Sequence, residues 1–240
     1  MAAENCIPYF QPQVDLRSGE LAGMEAVAGR MGAEGRAVLP EMSGTGDLDL
    51  WVFEQVVRKL RDWKEQAPWP YLVTCRLSPE CLASISSVDS LCFILSMNRD
   101  IPAELIGMKV ELPRGVPSPA AVRNIQSLYW SGLRLVARYR GTEEPSSLFC
   151  DLPVYQVVLD KSLVEGIENG EEEKKAVEKA CAYYREQGIP CVAEGVETAG
   201  QAMALVQAGC AYGQGGYYCA PLPAGEFEDR YLKRGRRRGG

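Results

Sequence analysis

The spacing of apolar and polar residues changes character along this chain. Residues 8–16 and 21–30 read as two strands joined by a tight Gly-containing turn, which predicts an antiparallel hairpin. Apolar residues in 49–66 recur at helical spacing, which predicts an amphipathic helix. Further helices are predicted in the later part of 79–96 and at 118–130, 170–188 and 198–209. Further strands are predicted at 71–78, 106–112, 133–138, 155–160, 190–196 and 212–218.

This alternation of strands and helices indicates a parallel sheet with helices packed outside it. The eight predicted strands, the first paired back by the hairpin, suggest a closed α/β barrel with one irregular strand. The chain has 240 residues, of which 46% are hydrophobic, and this is enough for one domain of that kind. We predict a barrel domain over residues 1–230 and a basic, disordered tail over 231–240, for which attachment to anionic partners is the alternative.

Charge and composition restrict the partners and the compartment. The net charge of −6 offers no overall attraction to nucleic acid, so we expect no direct nucleic-acid partner. The amino terminus has neither the basic nor the apolar region of a signal peptide, and no uncharged stretch approaches the roughly 20 residues of a membrane span. The nine cysteines include no CxxC pair, which favours reduced core thiols over disulfides or a zinc site. We therefore predict a cytoplasmic protein without a membrane partner.

The chain contains no histidine, which excludes Ser-His-Asp and Cys-His nucleophile pairs and metal sites built on imidazole. Any catalysis would have to use carboxylates, lysine or a hard metal bound by carboxylates. Polar or ionisable residues follow or interrupt seven of the apolar runs: Glu25, Arg76, Glu111, Arg138, Asp160, Glu194 and Gln214. Because functional groups of an α/β barrel gather at the carboxyl ends of its strands, we predict that these residues form a present or former site. A solvated turn is the alternative for each residue taken alone.

Two interpretations of this ring compete. Carboxylates without histidine suit magnesium, manganese or calcium, and two such metals would support phosphodiester hydrolysis by activated water. Arg76 and Arg138 argue against a metal, because a guanidinium is always charged, cannot coordinate a cation and pairs with acids instead. We therefore expect these two arginines to replace the metal as the partners of Glu25 and Glu111.

Several segments of the chain resemble the EAL domain: MEAVAGR (24–30), VELPRG (110–115), VVLDKSLV (157–164), AEGVET (193–198) and QGGYYCAPLP (214–223). That family hydrolyses the bacterial second messenger cyclic di-GMP. The resemblance extends from about Tyr9 to Leu222 and implies an α/β fold, a modified (β/α)8 TIM-like barrel with an antiparallel first strand.

The resemblance also implies roles for individual residues. Glu25 and Glu111 match metal-binding glutamates, and Asp160 matches the aspartate of the K-I-D motif. Glu194 matches a glutamate thought to help activate water, and Glu197 matches one that steadies the active-site loop.

A sixth retained position is Gln214, which matches the glutamine of the family's Q-G-Y segment. If the chain binds cyclic di-GMP, we expect contacts from Gln11, Glu25, Arg76, Arg138, Glu194 and Gln214.

Other positions depart from the family's pattern. Arg76 replaces the Asn of N-L-S, and Arg138 with Tyr139 replaces the two metal-binding aspartates of D-D-F-G-T-G. Val158 replaces the catalytic lysine of K-I-D, and Gly29 replaces the phosphate-contacting arginine of E-A-L-x-R-W. The segment between residues 40 and 51 is also shortened, which removes a loop near the ligand pocket.

These departures predict a catalytically inactive EAL-like domain without a bound metal. The resemblance implies that such a domain regulates cyclic di-GMP-linked signalling or motility by contacting another protein, for example a transcription or motility regulator. A receptor that binds cyclic di-GMP without cleaving it is the main alternative. An active phosphodiesterase, which would require magnesium or manganese, is favoured least. A homodimer is compatible with the sequence.

Overall fold

One closed sheet forms the centre of the molecule. The computed structural model describes residues 6–31, 37–38, 46–64, 70–110, 118–141 and 153–233. Its sheet contains the following ten strands: β1 (Ile7–Asp15), β2 (Leu21–Met31), β3 (Ala37–Val38), β4 (Leu72–Leu77), β5 (Ile106–Val110), β6 (Arg134–Tyr139), β7 (Val154–Leu159), β8 (Cys191–Glu194), β9 (Tyr212–Gln214) and β10 (Leu222–Pro223).

Eight of these strands close into a barrel, as the alternation of elements predicts. Strand β1 pairs antiparallel with both β2 and β9, whereas β2 and β4 to β9 pair parallel to one another. The predicted hairpin is confirmed, and so is the modified (β/α)8 barrel with an antiparallel first strand. The strand register of the barrel places Gln11 of β1 opposite Glu25 of β2, Arg76 of β4 opposite Lys109 of β5, and Glu194 of β8 opposite Gln214 of β9.

Helices follow most of the strands: α1 (Gly46–Lys64), α2 (Pro79–Ala83), α3 (Ile85–Met97), α4 (Pro119–Trp130), α5 (Lys161–Gly166), α6 (Glu171–Glu186), α7 (Ala199–Gln207) and α8 (Ala224–Phe227). The segment 79–96 forms two helices, because Ser84 interrupts the first and caps the second by accepting a hydrogen bond from the Ser87 N–H. In the described ranges, no helix is both long and apolar enough to cross a membrane.

The last predicted strand, 212–218, ends early at Gln214. At Gly215 the backbone lies against that of Val196, and a Cβ atom on Gly215 would collide with it. The N–H of Tyr217 then donates to the carbonyl oxygen of Val196 at 3.0 Å. The chain therefore turns across the end of β8 instead of continuing as a strand.

Aromatic packing joins the carboxyl-terminal elements to β1 and α1. The rings of Phe10 and Trp63 meet edge to face with centroids 5.0 Å apart, and Phe227 lies 5.9 Å from Phe10. Trp63 Nε1 donates to Glu228 Oε1 at 2.9 Å. Glu228 begins a π-helical turn, Glu228–Leu232, which contains the predicted boundary between the domain and its tail. The rest of the predicted tail, beyond residue 233, lies outside the described residues.

A thin apolar layer fills the middle of the barrel. Val136, Val158 and Val192 are fully or almost fully buried and pack together there. Val136 and Val192 each precede an ionisable residue of the same strand by two positions, and Val158 precedes Asp160 in the same way. Because side chains two apart on a strand point to the same face, this layer supports the polar groups at the carboxyl rim.

Candidate functional site at the carboxyl rim of the barrel

Charged side chains from five strands meet in a cavity of about 150 Å³ at the carboxyl rim. The cavity is lined by the predicted residues Glu25, Arg76, Arg138 and Glu194, together with Lys109 and, from α1, Asp49. Asp160 and Gln214 contact this group through Arg138 and Glu25. Glu111, the remaining predicted member, lies outside the described residues.

A buried lysine occupies the centre of the ring. Lys109 Nζ forms an ion pair with Glu25 and lies 3.3 Å from Glu194 Oε1. The side chains of Lys109 and Glu25 are only 5% and 6% exposed, so water does not screen their attraction as it would at the surface. The ammonium therefore links two carboxylates from different sides of the barrel, on β2 and β8.

Two glutamines fix the second oxygen of Glu25. Gln214 Nε2 donates to Glu25 Oε2 at 2.5 Å, and Gln13 Nε2 donates to Gln214 Oε1 at 2.8 Å. Each amide thus has a defined orientation in this chain of hydrogen bonds. Both oxygens of the Glu25 carboxylate are consequently engaged by protein groups.

Arg138 binds the other carboxylates of the rim. Its Nε lies 2.7 Å from Asp160 Oδ2, and its Nη2 lies 3.3 Å from Glu194 Oε2. Asp160 is also the N-cap of α5, because Oδ1 accepts hydrogen bonds from the N–H and the hydroxyl of Ser162 at 2.9 and 2.8 Å. One guanidinium therefore connects the ends of β6, β7 and β8.

Tyr139 and Val158, two positions that depart from the EAL pattern, contribute no polar group to the rim. Tyr139 points to the opposite face of β6, where it is buried in the outer apolar cluster with its ring 6.5 Å from that of Tyr184. Val158 lies in the apolar layer inside the barrel.

Three further predicted positions lie next to the ring. Gln11 Nε2 donates to the carbonyl oxygen of Cys219 at 3.2 Å, and Glu197 Oε1 accepts from the Gly216 N–H at 3.2 Å. Glu197 therefore contacts the turn that follows β9. At Gly29 a Cβ atom would collide with the ring of Tyr9, so the position has no room for a side chain.

Comparison with known proteins shows which family has this fold. The family model described as "EAL domain" matches residues 1–221. The chain belongs to the EAL domain family. It is 24% identical to the signaling protein YkoW of Bacillus subtilis over 92% of this chain and 28% of that protein. It is 25% identical to the cyclic di-GMP phosphodiesterase RocR of Pseudomonas aeruginosa over 92% of this chain and 58% of that protein.

Among solved structures, the EAL enzyme Bd1971, bound to cAMP and cyclic di-GMP, superposes with a TM-score of 0.81 at 18% identity. The match covers 94% of this chain and 64% of that one, and it establishes the common fold. The chain thus spans between about a quarter and two thirds of the lengths of these EAL relatives.

The central ion pair of this EAL domain keeps its charges at neutral pH. Burial raises the pKa of Glu25, but the charge of Lys109 and the Gln214 hydrogen bond bring it below its usual value. Burial likewise lowers the pKa of Lys109, but Glu25 and Glu194 bring it above its usual value. For Asp160, burial is outweighed by the Ser162 hydrogen bonds and by Arg138, so its pKa is also lowered.

Asp49 behaves differently from these acids. It is buried on the apolar face of α1 and accepts hydrogen bonds from the N–H and hydroxyl of Ser78 at 2.7 and 2.6 Å. Burial nevertheless raises its pKa, against these hydrogen bonds and the charge of Arg76. Asp49 is a site residue that was not predicted from the sequence, although its place among the apolar residues Leu48, Val52 and Phe53 of an amphipathic helix could have indicated a buried acid.

Lys109 is a second site residue that was not predicted from the sequence. The expectation that Arg76 and Arg138 pair with Glu25 and Glu111 is corrected for Glu25, whose ion-pair partner is Lys109. Arg138 instead pairs with Asp160 and Glu194. The available signal was the alternation of side chains along the strand. In IGMKVEL, Lys109 stands two positions before the predicted site residue 111, and its neighbours Met108 and Val110 belong to the outer core, so Lys109 faces inward.

The described residues do not fit a divalent metal ion. Magnesium and manganese require several carboxylate or carbonyl oxygens at one point. Here the oxygens of Glu25, Glu194 and Asp160 face the ammonium of Lys109 and the guanidinium of Arg138. Within the part of the chain that the structure describes, no group of three or more aspartates, glutamates or cysteines is placed to hold a metal.

Replacing Lys109 tests the central ion pair. In Lys109→Met the stem is retained but Glu25 loses its buried counter-charge, so we expect the free energy of unfolding to fall by about 3–5 kcal/mol. The matched control is Lys64→Met, whose partner Asp100 lies at the surface, with side chains 32% and 50% exposed. We expect a far smaller change there, because water screens exposed pairs. Urea denaturation measures both, and equally small losses would contradict the assignment.

Low pH should destabilise the folded protein through the carboxylates of the rim. Because the folded-state pKa values of Glu25 and Asp160 lie below their unfolded values of 4.5 and 3.8, their stabilisation is complete above those unfolded values. It is lost as the pH falls through the lower folded values. We expect urea stability to drop below about pH 4.5, and to drop less steeply in the double variant Glu25→Gln, Lys109→Met. Identical pH profiles for the two proteins would show that the pair does not contribute.

Proposed function

We propose that this EAL domain does not hydrolyse cyclic di-GMP and that it regulates cyclic di-GMP-linked signalling or motility by contacting another protein. The observation that supports the first part most directly is the position of Lys109 Nζ, buried between Glu25 and Glu194. Arg138 supports it further by pairing with Asp160 and Glu194.

Charge repulsion is the reason that these cations oppose metal-dependent hydrolysis. Two unit charges about 4 Å apart interact by roughly 4 kcal/mol at an effective dielectric constant of 20, so a divalent ion would be opposed by roughly 8 kcal/mol. Lys109 and Arg138 would each oppose it, and the carboxylates of Glu25, Glu194 and Asp160 already pair with these two cations. We therefore propose that neither magnesium nor manganese is a cofactor of this domain.

An exposed apolar surface supports the second part of the proposal. The side chains of Ile85, Phe93, Met97 and Trp130, here called the α3–α4 patch, are 66%, 64%, 67% and 80% exposed. The two helices meet beside it, because the thiol of Cys92 lies 3.4 Å from the hydroxyl of Ser131. Asp89, the one charged residue within α3, is exposed and lies on the same helix face between Ile85 and Phe93. Large exposed apolar side chains on adjoining helices are typical of protein–protein contacts.

A cyclic di-GMP receptor is the second candidate, favoured by the arginines at the rim. Bd1971 has been solved with cyclic di-GMP, and guanidinium groups such as those of Arg76 and Arg138 bind phosphate well. Two observations weigh against it. The cavity of about 150 Å³ is smaller than the roughly 300–1,000 Å³ of usual ligand sites. Arg138 is also already engaged by two carboxylates.

A hydrolysis assay tests the loss of activity. The full chain is incubated with cyclic di-GMP and either magnesium or manganese, and chromatography follows the linear dinucleotide, with RocR as the positive control. We expect no product above the protein-free background, because Lys109 and Arg138 pair with the carboxylates that a metal ion would need. Product that increases with the amount of wild-type protein would overturn the proposal. Calorimetry with cyclic di-GMP then separates the two remaining functions: saturable heat indicates a receptor, and its absence favours regulation by protein contact.

Charge introduced into the α3–α4 patch tests the contact surface. For any partner that co-purifies with the wild type from the native host, we expect the double variant Phe93→Glu, Trp130→Glu to recover at least tenfold less. Quantitative mass spectrometry measures the recovered amount. The matched control is Met203→Glu on α7, outside the α3–α4 patch, where the methionine is 62% exposed. Circular dichroism verifies that both variants fold. Equal recovery of partners with the wild type and the patch variant would contradict this surface, and size-exclusion chromatography shows whether the partner is a second copy.

A further inference from the structure

Three cysteines meet at the end of the barrel opposite the charged ring. Cys181 lies on α6, Cys191 is the first residue of β8, and Cys210 precedes β9 by two residues. They line one side of a cavity of about 530 Å³. Their side chains are nearly buried, at 1%, 4% and 3% exposure, and the cavity gives a small reagent a route to them.

The three cysteines are neighbours in the fold. They line the same cavity and belong to one buried cluster. Cys210 Sγ also lies 3.4 Å from the carbonyl oxygen of Cys191 and 3.4 Å from that of Tyr212. Since β8 and β9 are paired at Val192 and Tyr212, the sheet holds the two partner cysteines side by side.

This arrangement favours a thiolate at Cys181. The hydrogen bonds from Cys191 and Cys210 lower its pKa to about 4, against the opposing effect of burial, and Arg185 adds a positive charge one helical turn away. The pKa values of Cys191 and Cys210 are raised, so they remain thiol donors. By contrast, the equally buried Cys81 has a pKa raised to about 12 by burial.

We propose that Cys181 is a peroxide-sensitive thiol that, once oxidised, forms a disulfide with Cys191 or Cys210. The Cys181 thiolate attacks one oxygen of hydrogen peroxide, the O–O bond breaks, and a sulfenic acid and water form after proton transfer. The sulfur of a neighbouring cysteine then attacks the sulfenic sulfur, the S–O bond breaks and a second water leaves. Two thiols are oxidised by two electrons in total, and one peroxide is reduced to two waters.

The cluster fits this chemistry better than metal binding. Within the described ranges, no three cysteines or acids are placed to hold a metal ion. The cluster instead provides both sulfurs of a two-step oxidation. The reacting sulfur is a thiolate beside a positively charged arginine, and the resolving sulfur is the neighbouring thiol. The site is separate from the charged ring, so the inference does not depend on the proposed function.

Mapping of disulfides tests the proposal. The reduced full chain is treated with hydrogen peroxide, free thiols are blocked with N-ethylmaleimide, and the non-reduced digest is analysed by mass spectrometry. We expect a peptide in which Cys181 is linked to Cys191 or Cys210, its absence in Cys181→Ser, and its retention in the control Cys81→Ser. Failure to form any disulfide that contains Cys181 would overturn the proposal.

A second measurement on the wild type does not depend on how the variants fold. The rate at which iodoacetamide alkylates Cys181 should change less than twofold between pH 6 and pH 8, because the thiolate is already formed. An ordinary thiol with a pKa of about 8.5 reacts about tenfold faster per pH unit in this range. We expect the double variant Cys191→Ser, Cys210→Ser to shift Cys181 toward that dependence. A tenfold rise per pH unit in the wild type would overturn the proposal.

Discussion

The arrangement of the rim depends on one buried ammonium group. Lys109 reaches from β5 to Glu25 on β2 and Glu194 on β8, so a single side chain joins three strands through the interior of the barrel. Removing such ions from water costs several kcal/mol for each ion, and this cost is offset only when good geometry and further hydrogen bonds are present. Gln214, which donates to Glu25, and Gln13, which donates to Gln214, provide those hydrogen bonds.

Arg138 extends the same network to the remaining side of the barrel. Its contacts to Asp160 and Glu194 add the ends of β6 and β7 to the strands joined by Lys109. The result is a rim in which Glu25, Glu194 and Asp160 are paired with basic side chains. Among the described residues, these three carboxylates are therefore not left free for a divalent metal. This electrostatic balance links the fold to the proposed loss of hydrolysis.

Much of this fold could be predicted from the sequence, because strands and helices alternate with clear periodicity. The meeting of Glu25, Arg138 and Glu194 also followed, since the carboxyl ends of parallel strands gather at one rim. The partner of Glu25 did not follow, because a sequence does not state which inward residue of a neighbouring strand reaches a given acid. Tyr139 shows the same limit: one position along a strand reverses the direction of the side chain.

Contacts between distant segments were the least predictable part. Cys181, Cys191 and Cys210 share no recognisable motif spacing, and only the tertiary fold brings them to one buried cluster and one cavity. Asp49 is similar, because its burial depends on how α1 lies against β4 and on the hydrogen bonds from Ser78.

We propose that Lys109 and Arg138 occupy the place where a metal-dependent member of the family would bind its ion. Electron paramagnetic resonance of manganese tests it most directly, because manganese bound to protein loses the sharp signal of the free ion. When manganese is titrated into the purified wild-type chain, we predict that the free-ion signal matches that of buffer alone. Stoichiometric binding that disappears in Glu25→Gln would contradict the account.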